Sequence, residues 1–191
     1  MHTMYRLRVR GLEKIPDEGA CVLVCNHVSF VDALILGGSV RRPARFVMYH
    51  KIFKVPLLSW FFRTVKAIPI AGMKEDPQMM ERAFDQVSQC LKDGDVVVIF
   101  PEGAITNDGE IATFRPGIER IIQRDPVPVY PMALRGVWGS FFSRRDGPAM
   151  AKLPRRFWSR IELVVGEPVP ANQVTAELLQ QKVTELRGDW K

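Results

Sequence analysis

This 191-residue chain has no run of metal ligands. Its three cysteines, Cys21, Cys25 and Cys90, are odd in number and sit in apolar contexts. No histidine or cysteine stands at ligand spacing from them, so buried free thiols in a reducing, cytoplasmic compartment are expected rather than a zinc site or disulfide framework. There is no Gly-x-Ser-x-Gly elbow, and hence no serine in a recognisable nucleophile setting. Zinc-finger spacing, an aromatic RNA-binding signature and an isolated basic recognition helix are missing too, which argues against nucleic acid as a partner. No long hydrophobic run is uninterrupted. The most apolar stretch, residues 52–71, contains Lys54, Arg63 and Lys66 as well as Pro56 and Pro69, poor for a spanning helix and acceptable for one lying on a surface. Residues 1–11 are basic and are followed by no apolar core of the signal-peptide kind.

What is present is a globular composition, 47% hydrophobic and 25% charged, with a formal net charge of +6 that favours anionic partners. Basic residues interleave with aromatics in Tyr49-His50-Lys51-Ile52-Phe53-Lys54 and in Arg155-Arg156-Phe157-Trp158-Ser159-Arg160, a pattern suited to an anionic membrane surface. Leu57, Leu58, Trp60, Phe61 and Phe62 form an apolar stripe that is either core or membrane contact, and Phe141-Phe142-Ser143-Arg144-Arg145 and Phe157-Trp158 could extend the same face. The expected location is peripheral, on the cytoplasmic face of a membrane.

Strand and helix patterns alternate along the chain. Residues 5–10 alternate apolar and basic side chains as an edge strand does. Residues 20–25 are a continuous apolar run of the kind buried on both faces of a parallel sheet, and residues 95–100 read as a second buried strand, apolar over 96–100. Ser29 or Asp32 would cap a helix running through Leu36 and ended by Gly37-Gly38. Residues 45–49 and 67–70 read as strands, with an amphipathic segment over 57–65 between them. Asp76-Pro77 opens the clearest helix, with Met80, Ala83, Phe84, Val87 and Leu91 as its stripe. A helix is expected over 116–123, a strand over 127–134 placed irregularly or at an edge because of Pro128 and Pro131, a strand over 160–165 and a helix over 173–186. The expected fold is one α/β domain over residues 1–191, a mostly parallel twisted sheet with helices on both faces.

Two of the buried strands run into reactive residues, at the carboxyl ends where open α/β sheets bind ligands. The first continues into Asn26-His27-Val28-Ser29-Phe30-Val31-Asp32. An aspartate in the turn after a histidine can hold one ring nitrogen as donor and leave the other free to accept a proton. The bland alternative is a satisfied strand-end histidine beside a helix cap. Without a nucleophile elbow, and with Ser29 too close to His27 to serve, the base would act on a substrate hydroxyl in a direct acyl transfer. The second strand runs into Phe100-Pro101-Glu102-Gly103. Glu102 would project there to bind a polyol hydroxyl, and Gly103 would let backbone amides approach a phosphate or carbonyl.

Together these pieces resemble the glycerophospholipid acyltransferase family, of which 1-acyl-glycerol-3-phosphate acyltransferase is the best-known member. Residues 26–32 match its N-H-x-x-x-x-D block, Phe100-Pro101-Glu102-Gly103-Ala104-Ile105-Thr106 looks like its F-P-E-G block, and Val127-Pro128-Val129-Tyr130-Pro131 is similar to its V-P-x-x-P block. The resemblance implies that His27 is the general base, with Asp32 its partner. The acceptor would be a lysophospholipid of the lysophosphatidic acid or lysophosphatidylethanolamine type, attacking the thioester of acyl-CoA or acyl carrier protein. Glu102 and Gly103 would bind the acceptor, Asn26 would hold the loop, and Lys51 is either a phosphate ligand or a solvated surface lysine. No cofactor or metal is implied beyond the thioester co-substrate.

The chain departs from the family pattern at two arginines: Gly72 and Ile105 stand where phosphate-binding arginines are usual, and Lys74 or Arg115 would substitute. The pattern is most similar to the acyltransferase portion of larger bacterial polypeptides fused to an acyl-activating enzyme or a lysophospholipid transporter, and the strand-like start at Tyr5 suits such a fused or excised domain. Two other readings stand beside this one: a lipid thioesterase or hydrolase using the same pair on water, and a non-catalytic lipid-binding module of a transporter or synthetase.

Overall fold

β2 (Cys21–Cys25), five consecutive apolar residues, is buried along its whole length, and β5 (Val96–Ile99) lies parallel beside it. Strands of this kind need cover on both faces. In the computed structural model, which describes residues 5–54, 62, 64–145, 147 and 159–190, the cover comes from helices on opposite sides of one sheet. Ile35 and Leu36 of α1 (Asp32–Ser39) join Leu23, Cys25, Val96 and Val98 in one core cluster. On the other face α2 (Pro77–Lys92), α3 (Gly117–Arg124) and α4 (Ala176–Arg187) pack Phe84, Ile118 and Leu179 against Val22, Val24 and Val97.

The remaining strands are β1 (Tyr5–Arg10), β3 (Ala44–Tyr49), β4 (Ile68–Ile70), β6 (Val129–Arg135) and β7 (Ser159–Val165). The sheet order is β1-β7-β6-β2-β5-β3-β4. Every neighbouring pair is parallel except β6–β7, so the sheet is mostly parallel, as expected. Strands β2 to β6 therefore all end at the same edge. The helices that follow β2, β4 and β5 begin there: α1, α2 and α3 point their N-termini at that edge.

Local chemistry explains most boundaries. The Asp76 carboxylate accepts the Met79 amide at 2.9 Å with Pro77 in the first turn, and Thr175 caps α4 through the Leu178 amide at 3.1 Å. That cap starts α4 three residues later than the apolar pattern suggested, after a separate single turn at Ala171–Gln173. Gly37 and Gly38 do not stop α1 but lie inside it, where a Cβ on Gly37 would meet the Phe46 ring at 3.4 Å, an ordinary van der Waals contact. Neither Ser29 nor Asp32 caps α1; Val31 occupies that position, and the Asp32 carboxylate turns back to the preceding loop.

β6 is not at an edge: it lies between β2 and β7. The Val129 amide donates to Val169 at 3.0 Å, and alternation along the strand turns Pro131 towards the same side. β7 has ended at Val165 by then, so the proline's missing N–H costs no ladder bond. Most of the amphipathic segment over 57–65, including Leu57, Leu58, Trp60, Phe61 and Arg63, lies outside the described residues, as does Arg155-Arg156-Phe157-Trp158. Among the described residues no helix is long and apolar enough to cross a membrane.

At the opposite edge of the sheet Arg42 donates to the carbonyls of Pro16 (3.2 Å), Gly19 (2.7 Å) and Gly94 (2.6 Å), tying together the turns that feed β2 and β5. Arg42→Ala removes all three charge-assisted bonds and should lower Tm by roughly 3–8 °C in a thermal unfolding experiment. An unchanged Tm would mean the turns hold without it.

Candidate active site

The loop between β2 and α1 folds around the Asp32 carboxylate. Asp32 is 0% exposed, and one of its oxygens, Oδ2, accepts from the Val28 amide (2.6 Å), the Ser29 amide (2.8 Å) and the His27 Nδ1–H (2.9 Å). The other oxygen accepts the Ser29 hydroxyl at 2.6 Å. A carboxylate offers only acceptor sites, so these contacts fix the His27 tautomer with the proton on Nδ1 and a lone pair on Nε2. The His27 ring stacks on Phe100, centroids 4.3 Å apart and planes 18° from parallel, and its side chain remains 21% exposed. Nε2 has no protein partner among the described residues.

The backbone of His27 is held as firmly as its ring. Its N–H donates to Glu102 Oε1 at 2.7 Å, and its carbonyl accepts the Thr106 amide at 3.0 Å. Glu102 does not project as the sequence suggested: it is 4% exposed, and its second oxygen accepts the Ala112 amide at 2.8 Å. Burial pushes its carboxyl above the ordinary range, against the pull of the Ala112 and His27 amides. Asn26 is buried and bridges to β6, accepting the Leu134 amide at 2.8 Å and donating to the Leu134 carbonyl at 3.1 Å.

The candidate cations differ in what they touch. Lys51 is occupied: its ammonium sits 2.9 Å from Glu75 and over the Tyr49 ring, and both contacts raise its pKa, the Tyr49 hydrogen bond most. Glu75 also accepts from Tyr49 and His50, and its pKa falls to about 2, with Lys51 the largest cause. Arg115 and Lys74 are exposed and have no carboxylate partner among the described residues. Gly103 adopts a φ of 70°, and a Cβ there would lie 2.7 Å from Arg115 Cζ, so the guanidinium lies flat against the Glu102-Gly103 turn. Gly72, in a turn whose carbonyl accepts the Glu75 and Asp76 amides, and Ile105, buried in the interior, place no charge at the site.

The family model for Acyltransferase matches residues 6–135, which contain every one of these groups. The chain belongs to the acyltransferase family. It is 31% identical to the chloroplastic 1-acyl-sn-glycerol-3-phosphate acyltransferase BAT2 of Brassica napus over 71% of this chain and 39% of that protein. It is 33% identical to the 1-acyl-sn-glycerol-3-phosphate acyltransferase of Pseudomonas aeruginosa over 67% of this chain and 49% of that one. The chain thus spans less than half the length of these curated relatives. The crystal structure of the 1-acyl-sn-glycerophosphate acyltransferase PlsC from Thermotoga maritima shares the fold, with a TM-score of 0.70 at 23% identity over 97% of this chain and 73% of that one.

An apolar groove of about 540 Å³ lies between α1 and β3, lined by Ala33, the residue after Asp32, and by Leu34, Gly37, Gly38, Phe46 and Met48 among others. Three supports of the site were not anticipated from sequence: the Phe100 ring under His27, the Thr106 amide and the Ala112 amide. Phe100 carried a signal in its place directly before Pro101-Glu102; the two amides carried none, because main-chain donors are the same at every residue. Asp32→Asn keeps the shape but turns an NH2 towards groups that are themselves donors. It should reduce kcat about a thousandfold or more while a thermal melt still shows a folded protein. Near-normal turnover would show that the imidazole is oriented without Asp32.

Proposed function

We propose that this chain performs direct O-acyl transfer, moving a fatty acyl group from an acyl-CoA or acyl carrier protein thioester to a hydroxyl of a lysophospholipid of the lysophosphatidic acid or lysophosphatidylethanolamine type. The single observation that carries this reading is His27, with Nδ1 committed to a buried carboxylate and Nε2 free. Ser29, the nearest hydroxyl in sequence, is buried and gives its proton to Asp32, which disfavours an acyl-serine intermediate. Nε2 takes the proton of the acceptor hydroxyl as its oxygen attacks the thioester carbonyl. The tetrahedral intermediate then collapses, the C–S bond breaks, and the imidazolium returns the proton to the thiolate. Asp32 steadies the transient imidazolium.

The surroundings suit such substrates. The apolar groove begins at Ala33, next to Asp32, and offers room for an acyl chain. Arg115 on the Glu102-Gly103 turn, with Lys74 in the turn that precedes α2, supplies positive charge for a phosphate, neither having a carboxylate partner among the described residues. Phe30 and Leu34 are exposed at the start of α1, and the Phe30 amide joins the Phe142 carbonyl at 3.4 Å. These apolar groups, with a net charge of +6, favour peripheral attachment to the anionic cytoplasmic face of a membrane.

Labelled acyl-CoA and acyl carrier protein thioesters, offered with a panel of lysophospholipids, test the reading. Acceptor-dependent formation of diacyl product is expected, and His27→Ala should slow it by at least about a hundredfold. Rapid release of free acid without acceptor would make the protein a hydrolase instead. Arg115→Ala should raise KM for phosphate-bearing acceptors by about tenfold or more with kcat nearly unchanged. An unaltered KM would remove Arg115 from the phosphate's contacts.

A further inference from the structure

Glu102 belongs to the motif that suggests acceptor binding, yet the acceptor has little of it to touch. Its carboxylate is 4% exposed, and each oxygen already accepts a main-chain N–H, one from His27 at 2.7 Å and one from Ala112 at 2.8 Å. These two amides lie on separate segments: His27 ends the β2 run, and Ala112 lies in the excursion that returns at Arg115, whose amide closes onto the Pro101 carbonyl at 3.0 Å. The same excursion supplies the Thr106 amide that holds the His27 carbonyl. Both polar groups of the base's own residue are thus anchored to the loop that leaves β5.

We infer that Glu102 is a positioning residue: its carboxylate sets the peptide of His27 against the 101–115 loop, and so aims Nε2, rather than binding the acceptor hydroxyl. The inference rests on the reading of His27 as the base. The ring has two further restraints, the Asp32 hydrogen bond and the Phe100 face. Those act on the imidazole, whereas the backbone anchors extend the hold of the β2–β5 ladder past the strand ends, to where the His27 Cα faces the loop that carries Gly103 and Arg115. Because Arg115, one of the phosphate candidates, rides on the same loop, Glu102 sets the distance between the base and an acceptor phosphate bound there. An error of about 1 Å in that distance is enough to cost about a hundredfold in rate.

The substitution that separates the two roles is Glu102→Gln, which keeps the volume and one acceptor but turns an NH2 towards a main-chain N–H. Two readouts are taken. In the substrate-free protein with 15N-labelled histidine, the resonance of the His27 Nδ1 proton should shift or broaden relative to wild type. In steady-state kinetics kcat should fall about a hundredfold while the acceptor KM stays within about twofold. A tenfold or greater rise in acceptor KM with unchanged His27 resonances would make Glu102 an acceptor ligand, and no change in either readout would also overturn the inference. Thermal unfolding checks the fold. If the glutamine variant is unfolded, Glu102→Asp, which keeps the charge but is one methylene too short to span both amides, carries the same two readouts. A protein inactive on every lysophospholipid would sink the proposed function and leave the substrate-free resonances to decide this point.

Discussion

Asp32 is sealed from solvent, so its charge has to be met from inside the protein, and the way it is met organises everything around it. Two loop amides, a serine hydroxyl and the His27 ring converge on its two oxygens. Leaving any of these donors unmatched in the interior would cost about 1–3 kcal/mol, more where the partner is charged. The loop between β2 and α1 is therefore not free to relax. Its geometry fixes which imidazole nitrogen carries the proton, so the orientation of the His27 ring follows from a packing requirement of Asp32.

The sheet determines what meets that histidine. Because β2 to β6 are parallel, their carboxyl ends share an edge, and each delivers a different part: His27 from β2, the Glu102-Gly103 turn from β5, the Tyr49–Lys51 cluster from β3 and the Gly72 turn from β4. Asn26 stitches the β2 end to β6 through both polar groups of Leu134. The apolar groove opens on one face beside α1, and Lys74 and Arg115 lead into α2 and α3 on the other. On the proposed function, the acyl tail and the phosphate of the substrates would lie on those two faces, with His27 between them.

How far this was legible in the sequence follows the range of the interactions. His27 and Asp32 are five residues apart and form their contact within one turn, so spacing alone was informative. The α2 boundaries rest on Asp76 and Pro77, local signals that the structure keeps. Positions decided by distant partners were misjudged. Pro131 suggested an edge strand because its missing donor is harmless only where β7 has already ended. Gly37 and Gly38 suggested a helix stop, whereas the helix runs through both, with Gly37 beside the Phe46 ring of another element. Glu102 looked like a projecting ligand because the two amides it holds are invisible as residue types. Lys51 stood open between a phosphate ligand and a solvated surface lysine, and the sequence did not show that Glu75 pairs with it from beyond β4.

The central claim is that Nε2 of His27 receives the proton of the acceptor hydroxyl directly. A crystal structure of the chain with a non-transferable acyl thioether analogue and a lysophospholipid tests it most directly. The acceptor hydroxyl should lie about 3 Å from Nε2 and face the analogue's carbonyl. A hydroxyl held out of reach of Nε2, or aimed at another side chain, would contradict the account.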